Sequence, residues 1–276
     1  DWSSDVCSSD LRMLNLDDRD RFFRIAITMD KFKKLPTRLP DNYIWVNACS
    51  NYLRVMEDGN QKLSSRVITG KPLTRTPMLN SAISALITFP QWVPPPSIIQ
   101  KEILPAVKKN PGYLQKKGFS LLNSKGEEVD PYSVDWSKYN KSMPYKVVQG
   151  SGDANALGII KFFFENKYAV YLHDTNQRYL FGSPMRNLSH GCVRVQQWRE
   201  LLNYLLLKDS LRAGYSRRDS VNNWLKNKEK RQLSLKTRVP LFIRYLSCEG
   251  QNGRIIFYDD VYGDDKLLRE RWFNRK

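Results

Sequence analysis

Along residues 14–34 the apolar side chains Phe22, Phe23, Ile25, Ala26, Met29 and Phe32 recur near a helical period, and Pro36 and Pro40 then stop any helix. The texture changes at once. Residues 43–48 (YIWVNA) and 52–56 (YLRVM) are rich in aromatic and β-branched side chains, as strands are. Asp58-Gly59 is a tight-hairpin signal and residues 62–69 alternate toward a third strand, so this region reads as a β-meander. WVPPP at 92–96 breaks regular structure. Residues 97–150 are lysine-rich, carry four prolines and show little strand pattern beyond a short helical piece near 98–109. A stretch that long is not an ordinary loop, and it reads as an insertion or lid. Strands resume at 158–165 (GIIKFFFE) and 168–172 (YAVYL), joined by an Asn166-Lys167 turn. Residues 195–208 place Trp198, Leu201, Leu202, Leu205 and Leu206 on one helical face, and a second, highly charged helix is expected over 219–232. Residues 239–247 and 254–259 read as a closing hairpin across 250–253. The sum is a mainly β chain with a few flanking helices.

Composition narrows the function classes. With 276 residues, 41% of them hydrophobic and 12% aromatic, the chain can bury a sizeable core, which excludes wholesale disorder. No run of 18 apolar residues exists, so no helix in this sequence spans a membrane. Four cysteines do not make a disulfide scaffold of this length. Cys49 and Cys248 sit at the ends of predicted strands and suit small buried hydrophobes, and whether they pair is open. The formal charge of +17 favours an anionic partner, with basic residues dense at 101–125 and 208–238. No groove-entering motif or aromatic-basic pattern accompanies it, so no nucleic-acid partner is expected. Residues 1–12, rich in Ser and Asp and including Cys7, read as a non-native or unstructured tail, and, with no initial Met, the chain is expected to be a fragment.

The chemistry concentrates in one segment, YLHDTNQRYLFGSPMRNLSHGCVRV, from Tyr171 to Val195. It holds both histidines of the chain, His173 and His190, with Cys192. His173 ends a predicted strand, while Ser189-His190-Gly191-Cys192 forms a turn before the long helix. A thiol of ordinary pKa is only slightly ionised at neutral pH, and an imidazole beside it can take its proton and later protonate a leaving amine. Gly191 allows close backbone approach and can expose an amide N–H to an oxyanion. The His-x16-His-x-Cys spacing matches no common zinc pattern, so no metal and no cofactor are expected.

These residues resemble the signature of L,D-transpeptidases, the cysteine enzymes of bacterial cell-wall synthesis with a YkuD-type catalytic domain: a His, an intervening stretch, then Ser/Thr-His-Gly-Cys. Here 15 residues separate His173 from Ser189. The resemblance extends to YIWVN, the Asp58-Gly59 hairpin, VITGKP at 67–72, Thr76-Pro77, NALGIIKFFF at 155–164 and DVYG at 260–263. WVPPPSI at 92–98 and Arg194, where many members have Asn, are similar to the larger YcbB-like branch. It implies a β-sandwich of YkuD type over 42–235 with the lid inserted at about 97–150, a helical linker at 13–41 before it, and a C-terminal hairpin at 236–276 packed against it.

The resemblance also implies a two-step acyl transfer. Cys192 would attack the amide before the terminal D-Ala of a donor tetrapeptide stem, with His173 as base and then acid, and a second stem would resolve the thioester to a 3-3 cross-link. Water as acceptor would give L,D-carboxypeptidase activity, and an inert thiol would leave a wall-binding module. The main-chain carbonyl near His173–Asp174 would orient the imidazole, or the Asp174 carboxylate would. Tyr171 shares a strand face with His173 and is either an oxyanion or substrate contact or a core tyrosine. Arg194 alternates with Cys192 and pairs either with a substrate carboxylate or with a surface acid. Ser189 and His190 would support the Cys192 turn, and Trp92 and Asn155 are candidates for the substrate cleft, with a buried Trp and a turn Asn as alternatives. Expected partners are peptidoglycan stems and carbapenem-type inhibitors. The expected setting is the periplasm of a Gram-negative bacterium, for a monomer whose membrane anchor or export signal belongs to the missing N-terminal part.

Overall fold

The computed structural model describes residues 16–273, so the tail expectation at 1–12, with Cys7, lies outside the described residues. Helix α1 (Asp18–Phe32) starts where the sequence offers a cap: the Asp17 carboxylate accepts from the Asp20 N–H at 2.7 Å, and Asp18 and Asp20 sit in its first turn. Strands β1 (Asn42–Asn47), β2 (Tyr52–Glu57) and β3 (Asn60–Gly70) form the expected meander. Its Asp58-Gly59 turn has φ of 51° and 76°, the left-handed pair that a tight two-residue hairpin needs.

The sheet continues with β4 (Leu79–Thr88), and the lid then adds a small hairpin of β5 (Phe119–Leu122) and β6 (Lys146–Gln149). After the lid come β7 (Ile160–Phe164), β8 (Leu172–His173), β9 (Asn187–Ser189) and β10 (Val193–Val195), and later β11 (Arg231–Arg244). The main sheet has nine strands in the order β10-β8-β7-β4-β11-β1-β2-β3-β9. Because β10 pairs in parallel with β8 and antiparallel with β3, the sheet closes on itself through β10. The two layers of the expected sandwich are therefore faces of one closed sheet. Helix α2 (Trp198–Ala213) packs Leu201, Leu202, Leu205 and Leu206 into the same apolar core as Ile44, Val55, Ile83, Phe162, Leu172 and Val193. It ends at Gly214 in the left-handed conformation. The architecture is mainly β with flanking helices.

Three sequence expectations need correction. The strand expected at 168–172 shrinks to β8, because the Asn166 side chain accepts from the N–H groups of Tyr168 and Val170 and donates to the carbonyls of Phe164 and Val170, extending the turn. The helix expected over 219–232 is α3 (Arg218–Lys226), since Lys228 takes φ 55° and the chain enters β11 at Arg231. Of residues 239–247 only Ser247 meets 254–259, accepting from the Tyr258 N–H at 2.7 Å. The rest lie largely in β11, between β4 and β1 in the sheet, and the hairpin is β12 (Cys248–Gln251) with β13 (Arg254–Phe257). The expected division at 235/236 thus cuts a central strand, and the chain after it is part of the fold. Helix α4 (Asp264–Phe273) then packs on α1.

The lid has its own apolar cluster, with Ile103, Leu104, Val107, Leu114, Leu121 and Val147 at its centre. Its helical run starts at Pro96–Ile98, widens to a π-helical Ile99–Ile103, and continues as Leu104–Lys109. Pro105 explains the widening. It has no N–H to give and its ring crowds the preceding turn, and the Leu104 N–H reaches back five residues to Ile99 O.

Candidate active site

Register assembles the site. Lys161 on β7 pairs with His173 on β8, and His173 pairs with Arg194 on β10. The pairing extends one step further, with the Val193 N–H donating to Tyr171 O at 3.1 Å. Residues opposite each other, or two apart along a strand, share a face. Lys161, Tyr171, His173, Cys192 and Arg194 therefore stand on one side of three neighbouring strands, while Phe162, Leu172 and Val193 point into the core.

The imidazole of His173 is 4% exposed and its Nδ1 contacts the main-chain carbonyl of Asp174. A carbonyl only accepts, so Nδ1 carries the hydrogen and Nε2 keeps its lone pair as a base. This decides between the two orienting groups considered from sequence. The Asp174 carboxylate is engaged elsewhere, accepting from Ile159 N–H at 3.1 Å and from the Arg178 guanidinium at 3.1 and 2.7 Å. Asp174 is therefore not a cleft residue.

Burial above all pushes His173 down to about 3, and the Arg194 and Lys161 cations push the same way, against main-chain contacts from Asp174 and Leu157. Burial likewise raises the Cys192 thiol, although the Tyr171 main chain and hydroxyl, Lys161 and Arg194 all favour its anion. The resting pair is a neutral thiol and a neutral imidazole, not a preformed ion pair. Alkylation of Cys192 by iodoacetamide should accordingly climb with pH only above the ordinary thiol value of ~8.5, with no plateau at neutral pH. A fast plateau already present at pH 6, read by peptide mass spectrometry, would show an ion pair instead.

The Cys192 turn is held by hydroxyls. Ser189 Oγ donates to Cys192 O at 2.6 Å and accepts from Gly191 N–H at 3.1 Å. The Gly191 amide is thus engaged inside the turn, contrary to its expected oxyanion role. Gly191 remains necessary for a different reason, since its φ of 119° is a conformation L side chains rarely adopt. The loop 70–76 grips the turn from outside: Thr76 Oγ1 donates to Gly191 O at 2.9 Å, and Thr74 Oγ1 donates to Ser189 O at 3.0 Å. Gly70 N–H donates to Thr76 Oγ1 at 2.8 Å, and the Tyr262 hydroxyl donates to Gly70 O at 2.8 Å. A Cβ on Gly70 would lie 2.1 Å from Thr74 O, so only glycine lets this loop fold so tightly. Thr76→Val removes the bond to Gly191 O and strands the Gly70 amide, each worth about 1–3 kcal/mol. Turnover should fall about tenfold or more with KM little changed, while Thr76→Ser restores it. Equal loss in both variants would remove Thr76 as a positioning residue.

The lid meets this site twice. His190 does not brace the turn, as expected from sequence, but points outward with Nε2 2.5 Å from the Glu102 carboxylate of the lid. Trp92, just before the lid, pairs its main chain with Gln149, packs its ring at a tilt against Phe119 with centroids 5.8 Å apart and hydrogen-bonds the Tyr171 side chain. Asn155 is 1% exposed and spends its amide on the carbonyls of Gln149 and Gly150 and on the Leu157 N–H, so it shapes a turn and does not line the cleft. Arg194 donates to Thr175 and Gln177 oxygens, not to a surface acid. Sequence reasoning missed Lys161, Thr76, Glu102 and Tyr262. Lys161 had a signal, a lone charge inside GIIKFFF at the alternating position of the non-core face. Cys49, Cys192 and Cys248 are all free thiols, and among the described residues no cluster of three His, Cys, Asp or Glu could hold a metal ion.

A mainly β fold carrying a thiol and a base-tautomer imidazole on neighbouring strands is the class that this geometry defines. The L,D-transpeptidase catalytic-domain family model (YkuD) matches residues 41–221, and the chain belongs to that family. It is 37% identical over 232 residues to a curated Haemophilus influenzae protein named "Putative L,D-transpeptidase", covering 83% of this chain and 46% of that protein. The chain thus spans about half the length of that relative. Among solved structures, the E. faecium L,D-transpeptidase catalytic domain acylated by ertapenem covers 60% of this chain and 91% of its own, at 15% identity and TM-score 0.33. Mycobacterium tuberculosis L,D-transpeptidase 3 with a faropenem-derived adduct covers 74% and 60%, at 11% identity and TM-score 0.34.

Proposed function

We propose that the chain carries out L,D-transpeptidation of peptidoglycan stems through a Cys192 thioester. The observation that carries this reading is the shared face of β7, β8 and β10, which holds both the Cys192 thiol and a His173 imidazole whose lone pair is on Nε2. Sulfur bonds to the carbonyl carbon of the third stem residue as the amide to D-Ala breaks, and the thiol proton passes through His173 to the departing amine. An acceptor amine then gives a proton to His173 and displaces the sulfur, and His173 returns that proton to the Cys192 thiolate, leaving a 3-3 cross-link. The Tyr171 hydroxyl, stabilised in its protonated form by burial and bonded to Cys192, is the donor best placed for the developing oxyanion. Substrate chemistry puts the reaction in the cell envelope, outside the cytoplasm. Arg194 and the lid favour the YcbB-like branch.

Incubation with a disaccharide-tetrapeptide tests the reading, with free D-Ala and a cross-linked dimer expected. Tripeptide without dimer would make the chain a carboxypeptidase. No product and no carbapenem adduct on Cys192 would leave a wall-binding module.

A further inference from the structure

Several buried or part-buried cations of this protein pair with carboxylates: Lys31 with Asp265 at 2.6 Å, Arg54 with Glu249 at 3.0 Å, Lys208 with Glu57 at 2.7 Å and Arg217 with Asp209. Arg244 does not, and is satisfied instead by the carbonyls of Leu79 and Ile243 and by Asn80. The active face carries two cations without a carboxylate, one of them short of partners. Arg194 donates only to neutral oxygens, Thr175 Oγ1 at 3.4 Å and Gln177 Oε1 at 2.9 Å, and its buried Nε has no partner. Lys161 rests its Nζ 3.8 Å above the Tyr171 ring centroid. Among the described residues neither has a carboxylate within ion-pair range, and the nearest acid in sequence to His173, Asp174, is held by Arg178. A ring face returns less to a cation than the penalty of drying one without a counter-ion. Burial accordingly disfavours the charged forms of both groups.

The two cations also sit on opposite flanks. Lys161 stands on β7 and Arg194 on β10, each in register with His173 on the strand between them. With the thiol and imidazole both neutral, the face has two positive charges and lacks the anions to match. A bound substrate has to supply them, one on each flank of the His173 strand. We propose that Lys161 is a carboxylate anchor which, with Arg194, makes the site select an acyl donor bearing a free carboxylate on either side of the scissile amide. One is the terminal carboxylate of D-Ala. The other is carried by the third residue, which becomes the thioester-linked group. Lys161 binds one of this pair and Arg194 the other. The inference rests on the proposed acyl transfer for the identity of the donor, but the anchoring of a carboxylate beside Cys192 does not.

Two measurements on the whole chain separate these layers. The first compares Cys192 carboxymethylation by iodoacetate with its carbamidomethylation by iodoacetamide, followed by peptide mass spectrometry. Any effect of Lys161 on thiol ionisation cancels in the ratio of the two rates. Lys161→Met should lower the iodoacetate-to-iodoacetamide ratio about fivefold or more, and Lys161→Arg should keep it within about twofold, because only the charge is at stake. Lys161→Gln controls for a packing defect and should behave as Met does. An unchanged ratio in Met and Gln overturns the anchor. The second measurement compares kcat/KM for tetrapeptide donors whose third-residue carboxylate, or terminal carboxylate, is free or amidated. The parent should prefer the free acid at both positions, and Lys161→Met should lose the preference at one of them while retaining the other. Retention of both preferences overturns the assignment. Failure of the parent to turn over any stem overturns the proposed function, while the alkylation ratio still reports on Lys161.

Discussion

Cys192→Ala loses D-Ala release and cross-linked dimer together, to the uncatalysed background, a fall of about 10⁴-fold or more. In the proposed reaction one nucleophile serves both halves, so no product channel survives its loss. The fold should barely notice. The turn is held by Ser189 Oγ on Cys192 O, by Gly191 N–H on Ser189 Oγ and by Thr76 Oγ1 on Gly191 O, and none of these bonds uses the sulfur. What alanine removes is one half-buried atom packed against the main core and one partner of the Tyr171 hydroxyl, which keeps Trp92. That loss is about 1 kcal/mol, equivalent to a thermal shift of about 2–4 °C at this size. Stem turnover and a melting curve on the same preparation check both halves. Product above background in the alanine variant would place the nucleophile elsewhere, and inactivity accompanied by unfolding would make Cys192 structural.

The strands and helices near the site were readable where one face of an element is apolar. The 43–69 meander, GIIKFFF and the α2 face declare themselves by alternation or by a 3.6-residue period. Failures came where pairing is non-local. Nothing in residues 239–247 says whether they join a neighbour in sequence or run between β4 and β1, because both arrangements bury the same apolar side chains. The lid concealed β5 and β6 for a similar reason, since four-residue strands carry too little pattern to be distinguished from a loop. In the candidate site, Cys192 and His173 stand out as a short motif, whereas Thr76 reaches the Cys192 turn, and Tyr262 the loop behind it, through hydroxyls from distant parts of the chain. Such residues have no sequence spacing to betray them. His190 illustrates the reverse error: adjacency to Gly191-Cys192 suggested support for the turn, yet its ring faces Glu102 of the lid.

Closure of the sheet through β10 gives these details a common cause. β10 has no free edge, so the turn entering it is fixed on one side by β8 and on the other by β3. The 70–76 loop follows directly from β3 and is tied at its far side to the C-terminal segment, where Arg75 bonds Asp264 at 2.5 Å and Tyr262 O at 2.6 Å. The segment after 235 is thus coupled to the nucleophile through two loops. The reactive turn is positioned by regular pairing and hydroxyl contacts, while the lid touches it from outside, through Glu102 on His190.

His173→Gln is expected to separate catalysis from stability in opposite directions. The amide of glutamine can still donate to the Asp174 carbonyl, but it offers no lone pair of comparable basicity where Nε2 stood. Turnover should fall about 10²–10⁴-fold, the range of a lost general base. Acid resistance should rise. The folded His173 titrates near about 3, against about 6.5 in the unfolded chain, so between these values the unfolded state binds the extra proton. Stability therefore increases with pH through this window. The group imposes no penalty above pH 6.5, destabilises by about 1.4 kcal/mol for each unit below it, and levels off below pH 3. At pH 4.5 the wild-type chain should have lost about 3 kcal/mol on this account alone, a loss the glutamine variant escapes. Urea midpoints of both proteins at pH 7.5 and pH 4.5 check it, because carboxylates common to the two cancel in the comparison. Equal acid sensitivity in the two would mean that His173 titrates in the folded chain as it does in water, and the neutral resting pair would have to be abandoned with it.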